Sequence, residues 1–228
     1  MIEAPAPTSY KIALALMVIC VFALWLVSNS ARTTWPGVPP VPQKKTAAFS
    51  TLGDDQMFYR ISGLTLQNLG DTGGRVIPLD QYNYKNLSKW FFLSSELDPR
   101  SDFIPMLAAY YFGATRDKED LEYIVDYLEE VGNTSVGEKW RWLVQAVFIS
   151  RFKMNDLDRS LELAYKLSSL SSYNSQMPIW TKQMPAFVLA AKGEKEAAKE
   201  LMKVILGSTK NLHPNEVNYM EAYINDDL

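Results

Sequence analysis

Hydrophobic and polar positions divide this chain into two unlike stretches. Residues 12–28 (IALALMVICVFALWLVS) form an unbroken apolar run. Beyond about Thr46 the apolar residues recur instead at helical spacing, the pattern of elements that bury one face. A helix needs roughly 20 mostly apolar residues to cross a hydrocarbon core. The run meets this with Tyr10 and Asn29 at its interfaces, and Tyr10 and Trp25 are types that settle at headgroup level. The division is a tail (1–11), a transmembrane anchor (12–29), a Pro-rich linker (30–50) and a helical domain (51–228). A cleaved signal peptide is the competing reading of the run. Signal apolar regions span about 7–15 residues and end in a small-x-small site. This run is longer, Ser28-Asn29-Ser30 is a mediocre site, and the preceding segment carries only Lys11 with Glu3 nearby.

The spacing predicts helices over 55–69, 82–97, 102–115, 118–131, 138–153, 157–170, 177–192, 194–207 and 214–225. Asp98-Pro99 stops one, Gly132-Asn133 ends another, and Gly193 and Gly207 bracket a third. His213-Pro214-Asn215-Glu216 suits the start of the last, with proline near the first turn. Pro185 falls inside its helix and is expected to kink it or split it after Met184. The segment RVIPL (75–79) has strand character but no second strand to meet. Short loops between helices make antiparallel neighbours, so the fold class is all-α.

Between anchor and domain, ARTTWPGVPPVPQKK (31–45) places Pro36, Pro39, Pro40 and Pro42 close together. Such a stretch favours extended polyproline II and reads as a stiff spacer, with a PxxP ligand as the alternative. Lys11 precedes the run while Arg32, Lys44 and Lys45 follow it. A naive charge count places the domain in the cytoplasm, but long domains translocate largely regardless of charge. A single N-terminal anchor before a large domain favours export.

Composition removes most chemistry. The net charge of −3 gives no basic footprint for nucleic acid. The one cysteine, Cys20, lies in the apolar run, so the helical domain has no disulfide, thiolate nucleophile or cysteine ligand. The one histidine, His213, stands where a capping or solvent role is expected, and no serine has an evident base. Asp117, Glu119, Asp120, Glu122, Asp126, Glu129 and Glu130 offer carboxylates for acid/base or metal chemistry. They alternate with Tyr123, Ile124, Tyr127 and Leu128, however, which is the pattern of a solvated face beside a buried stripe. No EF-hand spacing occurs. The loop GDTGGR (70–75) allows close backbone approach to an anion, but it lacks the Lys-Ser/Thr of a P-loop. A structural turn is the preferred reading, with Asp71, Gly73, Gly74 and Arg75 as candidate contacts for a ligand or partner. Lys182, Lys192, Lys195, Lys199, Lys203 and Lys210 make the late part basic, whereas 96–130 is acidic. Opposite fields of this kind orient a charged partner or a second copy of the chain.

Self-similarity appears at a period in the mid-thirties. NLSKWFFLSSELDPRS aligns with DLEYIVDYLEEVGNTS at an offset of 34 residues, from Asn86 to Asp120. Further units run through RFKMNDLDRSLELAYKLSSL and FVLAAKGEKEAAKELMKVIL. The last carries Gly193, Ala198 and Met202 at the turn-glycine, small and large-apolar positions of the tetratricopeptide repeat, and Phe91 and Pro99 fit its large and helix-ending positions. Over 82–210 the chain resembles that family. The two middle units depart from it, with Arg116 or Asp156 for the glycine and Leu121 or Leu161 for the small residue. The resemblance implies an α-solenoid of antiparallel helix pairs. It also implies a groove lined by the first helix of each pair: Phe103, Met106 and Tyr110, then Lys153 and Met154, then Trp180, Gln183 and Phe187. That surface lacks the Lys/Asn carboxylate clamp of chaperone-binding members. It either accepts a partner's helix or strand, or is closed by the C-terminal helix with its stripe of Val217, Met220, Tyr223 and Ile224.

The expectation is a non-enzymatic, membrane-anchored scaffold or adaptor that needs no cofactor and binds protein subunits of a membrane complex, as bacterial envelope proteins with one anchor and a periplasmic repeat domain do. The alternatives are a cytosol-facing repeat receptor, and a hydrolase or ligand-binding protein centred on the glycine loop.

Overall fold

The computed structural model describes residues 8–30, 38–72, 75–210 and 212–225. The chain forms two compact units, Met1–Pro36 and Gly37–Leu228. In the first, helix α1 (Thr8–Ser30) is exposed along Ser9–Val27 and is long and apolar enough to cross a membrane. A signal sequence meets the same test of length and composition.

The second unit is helical apart from one small hairpin. Its helices are α2 (Lys44–Ser50), α3 (Asp55–Gln67), α4 (Tyr84–Leu97), α5 (Phe103–Met106), α6 (Lys118–Gly132), α7 (Trp140–Phe148), α8 (Leu157–Tyr173), α9 (Trp180–Ala191), α10 (Lys195–Ser208) and α11 (Pro214–Asn225). A π-turn at Leu107–Tyr111 and a 3₁₀ turn at Phe112–Ala114 prolong α5, and a π-turn at Ile149–Met154 prolongs α7. The starts are set by short polar side chains that satisfy the free N–H groups of a first turn. Asp54 accepts from Met57 N, Asn83 from Asn86 N, and Asp156 from Arg159 N. Asp117 accepts from the Glu119 and Asp120 amides.

From α6 onward each helix packs on the next along the chain, and α4 packs on both α3 and α6. The main core runs from Val38 to Val188, with Phe91, Phe112 and Tyr127 buried at its centre. Phe91 lies 5.5 Å from Phe112 and 5.2 Å from Tyr127, ring centroid to centroid. A smaller core joins Ala186, Leu189, Ala198, Met202, Ile205 and Met220, bringing α11 onto α9 and α10. Gly132 is required where α6 meets α7, since a Cβ there would lie 2.5 Å from Leu143 N.

Several expectations change. Only part of the 30–50 stretch is available as a spacer. Val38 is buried, Trp90 Nε1 donates to Pro39 O at 2.8 Å, and Val41 packs on the main core. Residues 44–50 then form α2 instead of continuing the linker. RVIPL does find a strand partner: Arg75–Val76 (β2) pairs antiparallel with Asp71–Thr72 (β1), in register Asp71↔Val76 and Thr72↔Arg75. Pro185 does not split its helix, because α9 runs through it. The missing proline N–H only deprives Thr181 O of its usual partner four residues on.

Candidate functional site

The outward faces of α5, α7 and α9 expose aromatic and sulfur-bearing side chains that these helices do not need for their own burial. In α5 and its extension, Ile104, Leu107, Ala108 and Phe112 point inward, while Met106, Tyr110 and Tyr111 are exposed. In α7 and its extension, Leu143, Ala146, Val147 and Met154 are buried, while Phe148 and Phe152 are exposed. Phe148 and Phe152 pack 4.8 Å apart, and the Arg151 guanidinium lies 4.7 Å from the Phe152 centroid. A π-turn spaces side chains differently from an α-turn and is frequent at functional sites.

Tyr110, Trp140, Arg141, Trp142, Val144, Gln145 and Trp180 line a cavity of about 270 Å³ on this face. Tyr110 meets Trp142 edge-on at 6.3 Å, and Trp140 meets Trp180 at 5.9 Å. A polar cluster fixes one of its walls, Trp142. Asp102 Oδ1 accepts from Trp142 Nε1 and from Lys139 Nζ, both at 2.7 Å. The Lys139 ammonium also donates to Ser101 O, and Tyr59 Oη donates to Ser101 Oγ at 2.6 Å. Burial alone would raise the Asp102 carboxyl, but the bonds from Lys139 and Trp142 hold it below its ordinary value. Lys139 is buried, and these partners stabilise its charge. Arg141 pairs with Glu138 at 2.8 Å and lies 5.3 Å from the Trp140 ring centroid. The cavity therefore combines pre-positioned rings with a guanidinium at its lip.

The eight groove residues expected from the sequence separate into distinct environments. Met106, Tyr110 and Trp180 lie on the open face. Lys153 is exposed but donates to Gly113 O at 2.6 Å, tying the two helix extensions together. Met154 and Gln183 are buried, and Met154 lines a separate cavity with Lys118, Glu122 and Asp158 instead of the aromatic one. Phe103 is half-buried against Gly63. Phe187 is covered by α11, between Tyr219 at 6.4 Å and Tyr223 at 6.2 Å. Trp140, Trp142, Phe148 and Phe152 were missed. The signal available for the first three was the WRWLVQAVF segment itself, whose apolar residues exceed what one buried stripe requires.

Comparison with protein families, curated proteins and solved structures returns no match for this chain.

The other candidates resolve into structural roles. Gly70 has φ +85°, and a Cβ there would lie 1.8 Å from Tyr82 Oη, which donates to Leu69 O at 2.6 Å. The glycine loop thus begins in a close-packed hairpin, with Asp71 exposed; Gly73 and Gly74 lie outside the described residues, as does the Arg75 side chain. Asp126 and Glu129 accept from Arg159, and Glu129 and Glu162 accept from Lys166. His213 caps α11: its Nδ1 accepts from Asn215 N and its own N–H donates to Glu216 Oε2. The late basic residues are partly neutralised, Lys192 by Asp158 and Lys203 by Glu200. Among the described residues no group of three or more His, Cys, Asp or Glu could hold a metal ion.

Proposed function

We propose that this protein is a membrane-anchored adaptor whose helical domain, a tetratricopeptide-like stack of helix pairs, holds a segment of a partner protein on the faces of α5 and α7. The observation that carries the reading is the exposure of Tyr110, Phe148 and Phe152 on α5, α7 and their extensions, together with the tryptophan cavity that Tyr110 lines. Aromatic anchors in desolvated pockets supply most of the affinity at protein interfaces. The domain's own chain uses rings in the same way, with Phe58 and Trp90 stacked at 6.4 Å beside Pro39. Helix α1 is the anchor in this reading, and the domain lies on the exported side. No catalytic step is assigned.

Full-length protein solubilised gently from its native membrane and weighed by native mass spectrometry tests the proposal. The expected result is a defined assembly with stoichiometric protein companions. Tyr110→Asp with Phe152→Asp should release the companions while leaving the thermal unfolding midpoint unchanged. A lone monomer, or companions retained by the double variant, overturns it.

A further inference from the structure

The end of α2 and the turn after it present two large apolar side chains outward, with nothing among the described residues to cover them. Leu52 is 98% exposed and Phe49 82% exposed. Leu52 also adopts φ +55°, a left-handed conformation in which a side chain is disfavoured and glycine or asparagine is the usual choice. The turn is nevertheless firmly built. Gly53 N donates to Ala48 O at 2.7 Å, Thr51 Oγ1 donates to Asp54 O at 2.9 Å, and Ala47 is buried beneath it. The fold thus holds a leucine in an unfavourable conformation in order to point it into the surroundings. Conflicts of this kind, local preference against native conformation, mark functional positions.

We infer that Phe49 and Leu52 insert into the surface of the membrane that α1 crosses, with phospholipid as the occupant. This rests on the anchored reading of α1. Chain length supports it. Between the last residue of α1 and Val38 lie residues 31–37, seven residues that reach at most about 25 Å. A bilayer is therefore always within reach of the turn's unit, at the high effective concentration that a short tether imposes. Two apolar side chains bind lipid weakly alone, but membrane attachment is characteristically built from two weak or unequal signals acting together.

The test uses the full chain in phosphatidylcholine/phosphatidylglycerol nanodiscs, with a single NBD fluorophore at one cysteine. The native and only cysteine, Cys20, lies within α1 and reports the anchor. Cys20→Ser combined with Leu52→Cys or with Phe49→Cys reports the turn. Cys20→Ser with Tyr173→Cys is the reference, Tyr173 being 91% exposed at the end of α8. Doxyl-labelled lipid is expected to quench the fluorophore at 20, 49 and 52 but not at 173, and aqueous iodide is expected to quench only 173. Quenching at 20 with iodide-accessible labels at both 49 and 52 overturns the insertion and leaves the anchor standing. An iodide-accessible label at 20 overturns the anchor itself. Disulfide crosslinking of two copies through Leu52→Cys, without doxyl quenching, assigns the turn to a second copy and overturns the lipid assignment.

Discussion

Tyr110, in the extension of α5, and Phe187, in α9, are aromatic residues on helices whose other faces are buried, yet their surroundings differ. Tyr110 is 60% exposed and touches only the edge of the Trp142 cavity. Phe187 is half-buried because α11 lays Tyr219 and Tyr223 against it, and Tyr223 Oη reaches Ala186 O at 3.4 Å. The helix bearing an aromatic does not determine whether that aromatic is core or surface. A later segment of the chain does, by covering it or leaving it open. The C-terminal end of the domain is closed in this way by its own last helix, whereas the face around Tyr110, Phe148 and Phe152 has no such cover among the described residues.

The comparison is broken most forcefully by setting Tyr110 against its near neighbour Phe112. Phe112 is fully buried against Phe91, Tyr82 and Tyr84. Phe112→Ala should destabilise the protein by about 3–5 kcal/mol, the loss of transfer energy plus a cavity. Tyr110→Ala, two positions away, should stay within about 0.5 kcal/mol, as exposed substitutions do. Urea unfolding followed by tryptophan fluorescence measures both. Comparable costs would mean that Tyr110 is core and that the open face does not exist.

At the closed end, Met220 is the residue of α11 that is wholly buried. Met220→Ala should cost about 2–3 kcal/mol. The loss should be local, because the small core that Met220 shares with Ala198, Met202 and Ile205 is distinct from the main one. Hydrogen exchange should therefore accelerate in α11 and uncover Phe187, while amides of α4 and α6 keep their protection. Uniform acceleration would show that the two cores unfold as one.

Much of this architecture could be read from the chain. The bounds of α6, expected at 118–131, fall at Lys118–Gly132 because Asp117 caps one end and glycine ends the other. What could not be read is instructive. The seven residues of α2 are too few to display a helical period, and prolines precede them. The hairpin joins strands of two residues, below the length at which alternation is visible. Met154, placed in the groove by the family resemblance, is buried for a different reason. A 3.6-residue period carried along α7 loses phase in the π-turn at Ile149–Met154, which places Met154 inward and Phe152 outward. Trp140 and Trp142 are two apart and share no helical face, so periodicity alone could not assign both to one cavity. Phe187 required knowledge of where α11 would lie.

Charged pairs repeat the contrast between covered and open at smaller cost. Glu129 is the half-buried centre of a cluster with Arg159, Lys166 and Glu162, whereas the Lys203–Glu200 pair is exposed at both ends. Glu129→Gln should cost about 1–2 kcal/mol, between the values for exposed and for buried pairs. Glu200→Gln should cost less than about 0.5 kcal/mol, and 1 M salt should remove even that. Equal costs would show that Glu129 is as well hydrated as Glu200.

One expected effect has the opposite sign. Burial, together with the carboxylates of Asp117, Glu119 and Asp80, raises the Asp120 carboxyl to about 6. Its unfolded value is about 3.9, so the folded state binds a proton more readily over the interval between them. The resulting stability is fully present below about pH 4 and is lost as pH rises through about 6. Asp120→Asn keeps the uncharged form at every pH and should therefore be more stable than the native chain at pH 7, with the two converging near pH 4. Solvent screening of a partly exposed group reduces the gain, and so does the attraction of the α6 N-terminus for negative charge, which leaves about 1 kcal/mol or less. Denaturant midpoints from pH 4 to 8 measure it. A difference that grows toward acid would show that the helix terminus, not the neighbouring carboxylates, governs Asp120.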